Sequence, residues 1–190
     1  MINPKEIYTK SNLLSLFRLL MAIPVWFIMD NFDQQSVRNL VAGLCLFAMF
    51  TDILDGYIAR KFNEVTELGK IIDPLADKVI VGAVVIKMFL LGEIPEYYFY
   101  LMIGRDILIF IGGIIVSKKL GKVLSSNAIG KLTIVVISLV LLQIMLSVDQ
   151  TSILFQSFYY GSIALVFISL FAYAYRGYEF IKKKDHGTVR

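Results

Sequence analysis

The sequence predicts an all-α integral membrane protein with six transmembrane helices. Three observations predict it. Apolar residue types make up 57% of the 190 residues and the mean hydropathy is +0.72, more than a soluble domain of this size carries. Six apolar runs recur along the chain, each near the ~20 residues that a helix needs to cross the hydrocarbon core. The connections between the runs alternate in charge, basic on one side and acidic on the other.

Ile2–Lys10 is polar and weakly amphipathic and is the candidate for a short N-terminal interfacial helix. Leu13–Met29 is the first span, expected to be retained because no small-residue cleavage site follows it. Val37–Ile58, Gly69–Leu91, Tyr97–Val116, Ile129–Val148 and Ile153–Tyr175 are the next five. No repeat, low-complexity tract or composition shift divides the chain, so residues 1–190 read as a single membrane domain. Cys45 is the one cysteine, which excludes an internal disulfide, and it reads as a small residue of an apolar run. His186 falls in a charged tail that reads as a solvated end, and Trp26 and the tyrosines read as interface or packing residues.

The net charge of +4 comes from basic residues in the connections, with no basic-aromatic patch on a soluble module, so nucleic acid is not an expected partner. One side would carry Lys5, Lys10, Arg60, Lys61, Lys70, Lys118, Lys119, Lys122, Lys131, Arg176 and Lys182 to Lys184. The other would carry Asp30, Asp33, Glu93, Glu96 and Asp149, with Arg38 and Lys87 at its edges. The excess of Lys and Arg places the first side, and both termini, in the cytosol.

Four aspartates interrupt the second and third runs: Asp52, Asp55, Asp73 and Asp77. Steps of three and four residues put each pair on one helix face. A charge within the bilayer is expensive, so acids gathered there mark a site. Carboxylates are hard oxygen ligands and point to divalent cations such as Mg²⁺ or Mn²⁺. Asp52 stands about 14 Å along its helix from Lys61, at about 1.5 Å per residue, within reach of a polar cavity open to the cytosol.

The run Asp52-Ile-Leu-Asp55-Gly56-Tyr-Ile-Ala59-Arg60, an eight-residue spacer, and Gly69-Lys-Ile-Ile-Asp73-Pro-Leu-Ala-Asp77 follow. They resemble the signature of the CDP-alcohol phosphotransferases, D-x2-D-G-x2-A-R-x8-G-x3-D-x3-D, at every fixed position. The resemblance implies a metal-dependent enzyme of phospholipid biosynthesis. In it an acceptor alcohol attacks the β-phosphorus of CDP-diacylglycerol and CMP leaves. It implies two divalent cations, with Asp52, Asp55 and Asp73 as metal ligands and Asp77 as general base and partial ligand. It also implies cytidine contact at Gly56, Ala59 and Gly69, a homodimer, and a bacterial-type plasma membrane with the site facing the cytosol. Arg60 then contacts donor phosphate or marks the cytosolic interface; Lys70 and Lys78 are weaker candidates.

Asn12-Leu-Leu-Ser15-Leu-Phe-Arg18 resembles the family's N-terminal P-N-x-x-T-x-x-R run, with Ser11 for proline and Ser15 for threonine. Asn12 would hold the donor headgroup or cap the first span. Gly104-Arg105-Asp106 lies inside the fourth run, where Arg105 is a natural phosphate ligand or half of an internal ion pair. Gly130-Lys131 opens the fifth run and resembles a basic position of relatives with anionic acceptors. The acceptor stays open. Phosphatidylglycerophosphate synthases usually show A-R-E and a second arginine seven residues on. Asp106 and Gly113 replace these here, as in CMP-forming cardiolipin synthases, which use phosphatidylglycerol. An alternative of another class is a cation transporter or a structural ion-pair network. The absence of repeats and the confinement of the acids to one half disfavour it.

Overall fold

The computed structural model describes residues 10–61, 69–120 and 128–185. Among these the secondary structure is helical, with no strand. The helices are α1 (Lys10–Ile28), α2 (Gln35–Lys61), α3 (Gly69–Leu90), α4 (Glu96–Leu120), α5 (Ala128–Met145) and α6 (Ile153–Asp185), with a 3₁₀ turn at Met29–Asn31. Each falls on one of the six apolar runs. The interfacial segment Ile2–Lys10 lies outside the described residues, apart from Lys10, which opens α1.

Three of the described helices are long and apolar enough to cross a membrane: Glu96–Lys118, Ala128–Met145 and Ile153–Phe180. Large apolar side chains stand exposed on them, as with Phe110 at 64% exposure and Phe171 at 74%, a surface that water does not favour and lipid does. The chain is therefore an all-α membrane protein. α6 runs ten residues past the apolar run that ends at Tyr175. Helix formers such as Glu179 and Lys182 continue it, and no proline stops it.

Two compact units make up the chain: Met1–Glu93 with Met145–Ser147, and Ile94–Ile144 with Val148–Arg190. In the first, α1 packs against α3 and α2, which also meet each other. Its core joins Val25, Met29, Phe32, Val41, Val84 and Met88, all nearly inaccessible. α3 ends in a Schellman turn. Gly92, at φ +75°, donates to the Phe89 carbonyl at 3.0 Å, and Glu93 donates to that of Met88 at 2.9 Å. Pro24 lies inside α1, where it removes one backbone donor.

In the second unit α4 packs along α6. Small residues set the approach. A Cβ at Gly113 would stand 3.2 Å from the Tyr173 hydroxyl, and one at Gly177 would stand 3.2 Å from Val116. Tyr98, fully buried, stacks on Tyr159 at 4.7 Å and shares a 2.7 Å hydrogen bond with Ser162. α5 joins through Thr133, whose hydroxyl donates to the Leu165 carbonyl at 3.3 Å. Ser152 caps α6 by accepting the Phe155 N–H at 3.2 Å. Just ahead, the Thr151 N–H and hydroxyl donate to Asp149 and hold its carboxyl below the usual carboxylate range.

Candidate functional site

The acid motif occupies the facing ends of two adjoining helices of the first unit. Asp52, Asp55, Gly56, Ala59 and Arg60 lie on the last three turns of α2. Gly69, Asp73 and Asp77 lie on the first three turns of α3, which Gly69 opens. Both halves of the motif are thus helical, so the three-residue and four-residue spacings are those of neighbours on a helix. The side chains at these positions lie outside the described residues. Four carboxylates on adjoining helices are a hard donor set that fits divalent cations. Among the described residues no group of three or more His, Cys, Asp or Glu gathers to hold a metal.

Asn12 is the third residue of α1, inside the helix and not at its N-cap. Lys78 is exposed on α3. At the opposite end of the same unit Arg38 pairs with Glu93 and Lys87 with Asp30. The two cations at the edge of the acidic connections are thus matched by acids of those connections.

Arg105 belongs to the second unit and is 5% exposed. Nε donates to the Ser169 hydroxyl at 3.3 Å, Nη1 to Asp106 at 2.6 Å and Nη2 to the Gly130 carbonyl at 3.2 Å. The Gly130 bond sets the guanidinium beside the backbone that carries Lys131, itself exposed on the first turn of α5. Sequence thus names two residues that the fold brings to one place, α4 and the start of α5. Ser169, the α6 partner, was not legible. A serine in a long apolar run gives no signal of a bond reached from 64 residues away.

Arg18 closes the N-terminal run that resembles P-N-x-x-T-x-x-R. It is 2% exposed and donates through Nη2 to Ser15 at 3.2 Å.

A helical pair carrying four motif acids, in an apolar bundle, is the arrangement the CDP-alcohol phosphotransferase signature requires, and comparison with known proteins agrees. The model of the CDP-alcohol phosphatidyltransferase family matches residues 8–173, so the chain belongs to that family and is an enzyme of it. A relative from Aquifex aeolicus (strain VF5) is 35% identical over 181 residues, 91% of this chain and 98% of its own length. Its name is CDP-diacylglycerol--glycerol-3-phosphate 3-phosphatidyltransferase. A Bacillus subtilis (strain 168) protein of the same name is 35% identical over 123 residues, 63% of each chain. A cardiolipin synthase (CMP-forming) / mitochondrial hydrolase fusion protein of Schizosaccharomyces pombe is 38% identical over 105 residues, 55% of this chain and 17% of its own.

Proposed function

We propose that this enzyme transfers the phosphatidyl group of CDP-diacylglycerol to glycerol 3-phosphate, releasing CMP. The observation that carries the acceptor is the Aquifex aeolicus relative, named for that acceptor and matched over 98% of its length. In the reaction an acceptor hydroxyl oxygen forms a bond to the β-phosphorus while the bond from that phosphorus to the bridging oxygen breaks. The electron pair leaves with CMP, and the hydroxyl proton goes to Asp77. A carboxylate crowded by like charges has a raised proton affinity, which suits a base.

Asp52, Asp55, Asp73 and Asp77 would hold two divalent cations, Mg²⁺ or Mn²⁺. When bound, these supply the positive charge that phosphate oxygens gather around and that a leaving phosphate needs. Gly56, Ala59 and Gly69 leave room for the cytidine, and Arg60, Asn12 and the helix ends orient the donor. Phosphoryl chemistry asks little more of a protein than placement and charge. Arg105 and Lys131 would serve the anionic acceptor. In this reading all six helices span the membrane, the termini and the acid motif lie on the cytosolic side, and the enzyme is a homodimer.

A second acceptor, phosphatidylglycerol, has a specific observation behind it. Position 113, where the glycerol 3-phosphate branch usually carries an arginine, is a glycine closed over by Tyr173. Purified protein given CDP-diacylglycerol and Mn²⁺ with either acceptor decides between them. Phosphatidylglycerophosphate as the product supports the proposal, and cardiolipin alone overturns it.

A further inference from the structure

We propose that Ser169 is a positioning residue for the acceptor. Its hydroxyl fixes the Arg105 guanidinium so that the N–H groups left over are presented to the phosphate of an anionic acceptor. The inference rests on the reading that Arg105 serves that acceptor.

α6 carries two buried serines, Ser162 and Ser169, seven residues and thus about two turns apart on one face. Their hydroxyls are used alike. Ser162 donates its one proton to the Tyr159 carbonyl at 2.6 Å, and Ser169 donates its own to the Val166 carbonyl at 2.8 Å. Each oxygen is then left to accept. Ser162 accepts from the Tyr98 hydroxyl at 2.7 Å, and Ser169 accepts from Arg105 Nε at 3.3 Å. Tyr98 and Arg105 are themselves seven residues apart on α4.

The two α4 partners differ in what the bond leaves over. The Tyr98 hydroxyl has one proton, and Ser162 takes it. The guanidinium has five N–H groups. Among the described residues Ser169 takes the one on Nε, Asp106 takes one on Nη1 and the Gly130 carbonyl takes one on Nη2. One N–H on each terminal nitrogen remains, on a cation that is almost wholly buried. Such a pair matches two oxygens of one phosphate.

The three anchors of the guanidinium are not equal. The Asp106 side chain is 66% exposed, and Gly130 belongs to the first turn of α5. Ser169 is buried between α4 and α6 and is the anchor of Nε. Because the guanidinium is planar and rigid, fixing the Nε–H direction fixes the direction of the terminal N–H groups as well.

Kinetics with CDP-diacylglycerol, glycerol 3-phosphate and Mn²⁺ test this beside thermal unfolding in detergent. Ser169→Ala should raise the glycerol 3-phosphate KM about five- to tenfold, with the donor KM within about twofold. Ser162→Ala removes the equivalent hydroxyl two turns away. It should lower the unfolding midpoint about as far as Ser169→Ala does and leave the acceptor KM unchanged. A lysine at position 105 has no Nε–H for Ser169 to hold, so in an Arg105→Lys background Ser169→Ala should raise the acceptor KM no further. An unchanged acceptor KM in Ser169→Ala would show a packing role and overturn the inference. So would an equal rise in Ser162→Ala, or a full further rise in the Arg105→Lys background. An acceptor KM that Arg105→Lys leaves at the wild-type value would overturn the reading of Arg105 and this inference with it, an outcome distinct from the other three.

Discussion

Arg38 at the start of α2 and Glu93 beyond the end of α3 form an ion pair, and the Arg38 guanidinium also lies 4.5 Å from the centre of the Phe32 ring. Beside it Lys87 pairs with Asp30 and stands 5.0 Å from the Trp26 ring. Both pairs sit where α1 ends, α2 begins and α3 ends, so they tie together the end of the first unit opposite to the acid motif. Side-chain exposures of 14% for Arg38 and 22% for Glu93 put this pair between a surface bridge and a buried one.

Breaking it from one side should therefore cost more than removing it. Arg38→Gln leaves Glu93 half-buried without its partner and should lower stability by about 1–2 kcal/mol. Adding Glu93→Gln should return part of the loss. A double-mutant cycle in detergent checks this, and strictly additive losses would show that the pair is not coupled.

Gly92 carries a second structural prediction. Its φ of +75° is the left-handed conformation of the Schellman turn, and nothing lies within 4 Å of the place a Cβ would take. The cost of Gly92→Ala is thus purely conformational, about 1–2 kcal/mol. Gly92→Asn should cost less, because asparagine tolerates this region. Unfolding midpoints of the two variants, compared with wild type, give the order directly.

The positions of the six helices were legible because each apolar run became a helix, and three of them are long and apolar enough to cross a membrane. Their ends were less so. α5 stops at Met145, three residues short of its run, and α6 continues to Asp185. Polar helix-forming residues extend a helix without adding hydropathy, so composition does not mark the boundary. The acid motif was legible as two helical pairs, since carboxylates in apolar runs stand out by cost alone. Arg105 stood out for the same reason. Its Ser169 and Gly130 partners did not, because a neutral hydroxyl and a backbone carbonyl leave no mark in a sequence. The direction in which Arg18 is buried, toward α2 and α3, likewise needed the fold.

The topology has a direct measurement. In a Cys45→Ala background, single cysteines at positions 94 and 120 are expected to react with an impermeant thiol reagent from opposite sides of a sealed vesicle. The expectation follows from the basic and acidic connections and from the length of α4, whose 25 residues span about 37 Å. Labelling of both positions from one side would overturn the six-span arrangement.

The metal centre is tested by charge removal at constant size. Asp55→Asn and Asp73→Asn should each lower CMP release by orders of magnitude while the protein stays folded in detergent. EDTA should abolish wild-type turnover, and Mg²⁺ or Mn²⁺ should restore it. Near wild-type turnover of both variants at saturating donor would reject the site.

Arg105 offers the sharpest contrast between two roles. All three of its guanidinium nitrogens donate within the second unit, to Ser169, Asp106 and the Gly130 carbonyl, so removing the side chain loosens α4 from α5 and α6, while the Ser169 hydroxyl keeps its bond to the Val166 carbonyl at 2.8 Å. Arg105→Ala should lower the unfolding midpoint, at a cost of about 2–4 kcal/mol for a buried, hydrogen-bonded cation. Ser169→Ala removes one of the three acceptors of Arg105 together with the hydroxyl's bond to the Val166 carbonyl and should cost less, about 1 kcal/mol. If Arg105 also serves the acceptor, Arg105→Lys should recover most of the stability but keep a raised acceptor KM, because an ammonium does not reproduce the planar fork of a guanidinium. Donor affinity, measured on the same protein, should change little. A donor-binding loss as large as the acceptor loss, or acceptor kinetics restored in step with stability, would leave Arg105 a purely structural residue of the bundle.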